Sequence, residues 1–317
     1  MISAGIMALV AAIKVTGPIF LWVLLGAIAR RLGWLGPVLA ERLSLWVFRY
    51  GMPIILGLGA SRVDYSQVTG STYLQAGIFS VLVITLLGHC YGRWRRFPQA
   101  DHGVFLQAVF RSNLGIIGIA LCASAYGERG LVMAALPVAV LTVVYNVLAV
   151  YVLNRAHGRS ASPLGVLLGI ARNPLVVGIA VGMLVSIAGW TLPGWAYQVG
   201  NAYALLVLPL AVLVIGAALS LKSLRESGRA TLDASVWRLV VAPLITVLIA
   251  LAWGVRGEEL GVLFLLLAGP VATASFVMVV AVGGNGALAA NIVLVTTLLS
   301  LPSITLGMAV LQAAGLL

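Results

Sequence analysis

The chain carries about ten apolar runs, each long enough to cross a lipid bilayer. Hydrophobic residues make up 62% of the 317 residues and charged residues 9%, and a helical span needs about 20 apolar residues. Lipid offers the backbone no hydrogen-bond partner, so such runs fold as helices. The alternating pattern of an outer-membrane barrel is absent. The runs lie at roughly 8–29, 43–60, 72–92, 104–125, 130–153, 170–189, 196–220, 236–255, 260–282 and 287–312. The sequence therefore predicts an all-α membrane protein.

The basic residues concentrate in alternate connections between these runs. The net charge is +11, which in a soluble chain could indicate nucleic-acid binding. Twelve basic residues lie in or beside the odd-numbered connections: Arg30, Arg31, Arg42, Arg93, Arg95, Arg96, Arg155, Arg159, Lys222, Arg225, Arg229 and Arg238. The even-numbered connections carry only Arg62, Arg129 and Arg256. This bias follows the positive-inside rule. We expect both termini outside a plasma membrane, as in a bacterial inner membrane, with the basic residues meeting anionic lipid headgroups rather than nucleic acid.

The two halves of the chain share a repeat at an offset of 156 residues. The sequence GWLGP at 33–37 matches GWTLP at 189–193. The aligned pairs are Pro18 and Pro174, Gly26 and Gly182, Gly33 and Gly189, Trp34 and Trp190, Pro37 and Pro193, and Pro53 and Pro209. Duplicated halves in a membrane protein indicate a secondary transporter. A duplication retained only for packing is the alternative.

Each repeat contains five predicted spans, in residues 1–157 and 158–317. Because five is odd, the second repeat enters the membrane from the opposite side, which makes the repeat inverted. Such repeats place the substrate near the midplane, where interrupted helices from both halves meet.

Two spans at equivalent positions carry helix-breaking residues. Span 4 contains Arg111, Ser112 and Asn113, followed by Gly115 and Gly118, and span 9 contains Gly269, Pro270, Thr273 and Ser275. Asn113 lies about ten residues into its span, roughly 15 Å deep, and Pro270 is at nearly the same depth. Proline removes an amide donor and frees a carbonyl one turn earlier. We predict that these breaks form a polar site within the membrane.

Several short motifs stand out along the chain: R-S-N-x-G-x-x-G-I at 111–119, A-Y-G-E at 125–128, R-N-P-L at 172–175 and the proline of the ninth span. Together they resemble the auxin efflux carrier family, which includes plant PIN-type carriers and bacterial malonate-type carriers. The resemblance covers essentially the whole chain. It implies ten spans in two inverted repeats, similar in fold to bile acid symporters, with a scaffold of spans 1, 2, 6 and 7. Spans 3–5 and 8–10 would form a mobile transport domain in a homodimer.

The resemblance also implies that spans 4 and 9 cross at their unwound centres. Asn113 and Pro270 match the crossover asparagine and proline of the family, and Tyr145 matches an aromatic substrate contact in span 5. Ser112 stands where PIN-type members carry a proline, so a plant-hormone substrate does not follow from the resemblance.

Charged residues inside the spans are basic. Arg111 either attracts an anionic substrate, together with Asn113 and half-helix N-termini, or pairs with a carbonyl in the packed bundle. Lys14 and Arg49 are expected to reach an interface along their long side chains. Tyr145 and Asn146 serve either the site or helix packing. Thr296, Thr297 and Ser300 are expected to hold helices together.

The leading function from sequence is a secondary carrier for a small organic anion, a carboxylate, with elevator-type alternating access. All eight acidic residues lie at span ends or in connections, so transport is expected not to require a sodium gradient. A cation- or proton-coupled antiporter of the same fold is the alternative. An integral membrane transferase would need clustered metal ligands or catalytic pairs, and none is visible. Three histidines, His89, His102 and His157, are not expected to cluster, so neither a metal site nor a cofactor is predicted.

Overall fold

The protein is all-helical in the part of the chain that the computed structural model describes. That part comprises residues 24–62, 71–157, 174–218 and 228–317, together with residues 10, 18, 21, 22, 168 and 171. The helices are α1 (Pro37–Trp46), α2 (Met52–Ala60), α3 (Thr72–Trp94), α4 (Gln99–Phe110), α5 (Ile119–Ala156), α6 (Pro174–Ile187), α7 (Gly194–Ala218), α8 (Arg229–Val236), α9 (Ala242–Ala252), α10 (Gly257–Leu267), α11 (Thr273–Ala281) and α12 (Gly286–Ala313). Wide π-helical turns at Val47–Gly51, Leu114–Gly118 and Trp237–Val241 join α1 to α2, lead into α5, and join α8 to α9.

Four of the described helical segments are long and apolar enough to cross a membrane. They are Thr72–Trp94, Leu114–Ala156, Arg229–Ala252 and Gly286–Ala313. The second has 43 residues, about twice the length that a bilayer requires. It divides at Gly127, where φ is +59°, so predicted spans 4 and 5 meet there in a sharp kink.

One predicted boundary is wrong, and it changes the place of an arginine. The eighth apolar segment begins at Arg229 rather than near residue 236. Arg238 was therefore expected beside a cytoplasmic connection, but it lies inside the helix with 0% of its surface exposed. Apolar content alone placed the boundary too late, because α8 begins with the polar sequence RATLDAS.

The helices of the first and second halves pack through backbone contacts at glycines. A Cβ atom added at Gly182 of α6 would collide with the carbonyl of Gly57 in α2, and one added at Gly26 would collide with the carbonyl of Leu213 in α7. Helices approach this closely in membranes when small residues line the contact. Accordingly α2 packs chiefly along α6, and α1 along α7.

The remaining helices share one large apolar core. The π turn before α5 and the start of α5 lie against α10, α3 packs against α4, α9 and α10, and α12 packs against α8, α11 and α4. Phe105, Phe110, Leu141 and Leu263 are among the fully buried side chains of this core. The residues around the predicted breaks in spans 4 and 9, Arg111 to Asn113 and Ala268 to Val271, are buried in the protein interior.

Candidate substrate site at two broken helices

The first broken helix is interrupted where the sequence predicts. Helix α4 ends at Phe110, the backbone of Arg111 is extended (φ −90°, ψ 93°), and helical geometry resumes as a π turn at Leu114. The amide of Arg111 still bonds the Gln107 carbonyl at 3.0 Å, so the regular ladder stops immediately after this residue.

The second broken helix is interrupted around Pro270. Helix α10 ends at Leu267 and α11 begins at Thr273, with Pro270 between them. Proline cannot donate a backbone hydrogen bond, and Gly269 and Ala268 continue the break on its N-terminal side. Predicted span 9 is therefore two half-helices, as span 4 is.

The two breaks are hydrogen-bonded to each other. Ser112 and Val271 form an isolated antiparallel bridge: the Asn113 amide donates to the Pro270 carbonyl at 2.7 Å, and the Ala272 amide donates to the Arg111 carbonyl at 3.3 Å. A third donor, the Val271 amide, bonds the Thr296 hydroxyl at 3.2 Å. Unwinding leaves backbone groups without helical partners, and these bonds satisfy several of them in the buried interior.

Arg111 is directed at the interior beside this crossing. Its side chain is 7% exposed, and one guanidinium nitrogen, Nη2, donates to Asn146 Oδ1 at 3.0 Å. Within the described part of the chain, Nε and Nη1 are buried without a hydrogen-bond partner. A buried charge is costly unless it is paired, so this guanidinium retains donors for an acceptor that the protein itself does not supply there.

Ser112 and Tyr145 link the first break to both neighbouring helices. The Ser112 hydroxyl donates to the Leu266 carbonyl at 2.8 Å and lies 3.1 Å from the Tyr145 hydroxyl. The Tyr145 ring also packs on Phe110, with ring centroids 5.9 Å apart. The structure thus brings Tyr145 and Asn146 of predicted span 5 to the break, on adjacent positions of α5.

The other predicted site residues differ in their exposure. Asn113 and Pro270 are buried and Gly115 is half-buried. Thr273, the first residue of α11, is exposed. Ser275 is buried, and its hydroxyl has no hydrogen-bond partner among the described residues.

Two residues near the crossing were not predicted as part of it. Thr296 was expected only to hold helices together, yet its hydroxyl accepts the Val271 amide from the second break. Arg238 donates through Nη1 to the Val109 carbonyl at 3.0 Å, at the end of α4. The sequence offers only Pro243, five residues later, which marks a local helix irregularity and does not indicate where the Arg238 side chain lies.

Two of the histidines do come together, contrary to the sequence expectation. The rings of His89 and His102 stack with centroids 4.9 Å apart, at facing positions of α3 and α4. His102 precedes the predicted start of span 4, and burial lowers its pKa, with His89 and Arg93 lowering it further. No group of three metal-ligating side chains occurs among the residues that the structure describes.

Two known matches of this chain are to membrane transport proteins. The family model described as a membrane transport protein matches residues 161–308, which include the second break. A protein described as an uncharacterized transporter from Methanothermobacter thermautotrophicus is 25% identical over 293 residues, 91% of this chain and 95% of the relative. The chain is thus similar to membrane transport proteins over its second half and to a transporter over most of its length. Together the two matches confirm the resemblance to the auxin efflux carrier family.

Proposed function

We propose that this protein is a secondary transporter that moves a small organic anion, a carboxylate, across the membrane by elevator-type alternating access. The observation that carries the proposal is the Arg111 guanidinium, buried at the crossing with Nε and Nη1 unpaired among the described residues. A carboxylate accepts from such a guanidinium in a charge-assisted, often bidentate geometry. The N-terminal ends of the half-helices at Leu114 and Thr273 add partial positive charge at the same place.

The contacts between α2, α6 and α7 support two inverted five-span repeats, 1–157 and 158–317. The offset of 156 residues relates Gly26 to Gly182 and Gly57 to Leu213, so the close contacts Gly26–Leu213 and Gly57–Gly182 exchange under the repeat. Gly33 and Gly189 also match, with φ of 78° and 66°. Reciprocal contacts of this kind are what a pseudo-two-fold axis between the halves produces.

The packing favours the division into scaffold and mobile domain that the resemblance implies. Helices α1, α2, α6 and α7, from predicted spans 2, 6 and 7, pack chiefly on one another, whereas both broken helices lie in the second group. Arg62, after α2, pairs with Glu128 at the kink between spans 4 and 5 and stacks on the Tyr197 ring of α7 at 4.3 Å. This contact joins the two groups at one end and would have to break when the mobile domain moves. Dimerisation through the scaffold is part of the proposal.

Uptake by reconstituted protein tests the anion site. Purified protein is screened for thermal stabilisation by acetate, malonate and succinate and by their amides, and the best carboxylate is then followed as a radiolabel in proteoliposomes. Arg111→Gln removes the charged donor and is expected to raise the half-saturating concentration at least about tenfold. This corresponds to a loss of about 1.4 kcal/mol of binding free energy. Arg111→Lys keeps the charge and is expected to lose less.

Arg49→Gln is the matched control, since Arg49 also falls within a predicted span but is exposed. It should transport like the wild type. The proposed anion specificity would be contradicted if the amides stabilised the protein as strongly as the carboxylates, or if Arg111→Gln took up the carboxylate at the full rate.

A further inference from the structure

Arg238 is a second buried cation close to the crossing. Its side chain has 0% exposure, and it is the largest by volume of the fully buried side chains among the described residues. Its Nε and Nη2 atoms are buried without a partner in the described ranges, and none of the ion pairs formed there includes it. Burying a charge in this way costs free energy, which the surrounding structure must offset.

The one bond that Arg238 makes replaces a helical bond that the break removes. In an uninterrupted helix the carbonyl of Val109 would accept from the amide of Asn113, four residues later. Here the Asn113 amide donates to Pro270 instead, and Arg238 Nη1 supplies the missing donor to Val109 at 3.0 Å. The guanidinium therefore sits on the carbonyl end of α4.

The local fold holds Arg238 in this position. It belongs to the π turn Trp237–Val241, and such turns often mark functional sites. Pro243 has no amide hydrogen for the carbonyl four residues earlier, that of Leu239, and the Ser303 hydroxyl of α12 donates to this carbonyl instead. The irregular turn is thus anchored from a neighbouring helix.

A free carbonyl end of a half-helix is a place that suits a cation. The C-terminus of a helix carries partial negative charge, and in transporters with broken helices such ends coordinate sodium ions or protons. At the end of α4 this position already holds the guanidinium of Arg238. A mobile cation would have to displace a covalently attached one.

We propose that Arg238 is a fixed internal cation that takes the place of a coupling ion at the carbonyl end of α4. It acts as a positioning residue: it completes the broken end of the helix and keeps the site positive for an anion, without touching the substrate. This inference rests on the proposed function, because it assumes that the crossing binds the anion. It gives the expected independence from sodium a structural cause.

Cation-dependent stability of purified protein tests the inference. The melting temperature is measured in sodium chloride and in choline chloride of equal concentration. The wild type is expected to melt at the same temperature in both salts, since the position is occupied. Arg238→Gln is expected to gain stabilisation that rises with sodium concentration, and Arg238→Ala is expected to be stabilised by millimolar guanidinium but not by equal urea.

Arg256→Ala is the matched control, because Arg256 also donates to carbonyls at a helix end, those of Leu251 and Val255, but is exposed to solvent. It should show neither effect. If the uncharged variants do not fold, a second experiment tests the role of Arg238. Malonate uptake by the wild type and by Arg238→Lys is compared in sodium-loaded and choline-loaded proteoliposomes. Equal uptake in both salts is expected for both proteins, and sodium-dependent uptake or melting of the wild type overturns the inference.

The outcomes also separate this inference from the proposed function. If no carboxylate binds the wild type, the proposed function fails, while the melting experiment still reports on the cation position. If carboxylates bind and are transported but Arg238→Gln gains no response to sodium and Arg238→Ala none to guanidinium, only the role of Arg238 fails.

Discussion

At the scale of single residues, Asn113 combines two roles that can be separated. Its backbone amide holds the crossing by donating to Pro270 at 2.7 Å. Its side chain forms no hydrogen bond to the residues that the structure describes and can recognise a ligand in the proposed site. The main-chain bond does not depend on residue type. Replacing the side chain therefore tests recognition without opening the crossing.

We expect Asn113→Ala to lower uptake of the best carboxylate at least about tenfold, or about 1.4 kcal/mol, with an unchanged melting temperature. The amide can donate to a carboxylate, and alanine cannot. Asn201→Ala, on an exposed position of α7, is the control and should behave as the wild type. Unchanged uptake by Asn113→Ala would remove this side chain from the site.

At the scale of helices, the close approach of α2 and α6 depends on a residue without a side chain. Gly182 faces the backbone of Gly57, so even a methyl group has no room. In membranes, packing of this kind replaces the hydrophobic effect as the force between helices. The stability of this helix pair should therefore respond to a single added carbon atom.

Gly182→Ala is expected to destabilise the protein by about 1–3 kcal/mol, the usual cost of overpacking, seen as a lower melting temperature in detergent. Gly194→Ala at the start of α7 is the control, because a Cβ atom there has no neighbour within 4 Å. Equal melting temperatures for the two variants would show that α2 and α6 can separate without loss.

At the scale of the whole molecule, the charge bias and the inverted repeat together predict opposite orientations for equivalent turns. In the structure Arg238 lies inside a helix rather than in or beside a connection. Eleven of the twelve basic residues first assigned to the odd connections remain, against three in the even ones. The positive-inside bias is unchanged by this correction. The first connection is therefore still expected in the cytoplasm and the sixth outside.

Trp34→Cys and Trp190→Cys test this orientation, because the two positions are related by the repeat and are 76% and 71% exposed. Each is introduced after the native cysteines Cys90 and Cys122 are replaced. An impermeant thiol reagent added to whole cells should label only the cysteine at 190, and the cysteine at 34 should react only after lysis. Labelling of both from one side would contradict the inverted repeat.

The sequence by itself determined the helical class, the two helix breaks and several residues of the candidate site. Lipid leaves the backbone only the helix, so apolar length identified spans, and the polar and helix-breaking residues around Asn113 and Pro270 identified their interruptions. These are local properties, and a linear sequence records them directly.

Only the tertiary structure decided which side chains meet at the breaks. The pairing of Arg111 with Asn146, of Ser112 with Tyr145 and of Arg238 with the Val109 carbonyl joins residues 33 to 129 positions apart, and the stacking of His89 on His102 likewise depends on helix packing. A helix that is apolar on most faces does not indicate in its sequence which face its neighbour covers. The place of Arg238 therefore became visible only once α8, the π turn and α4 were packed together.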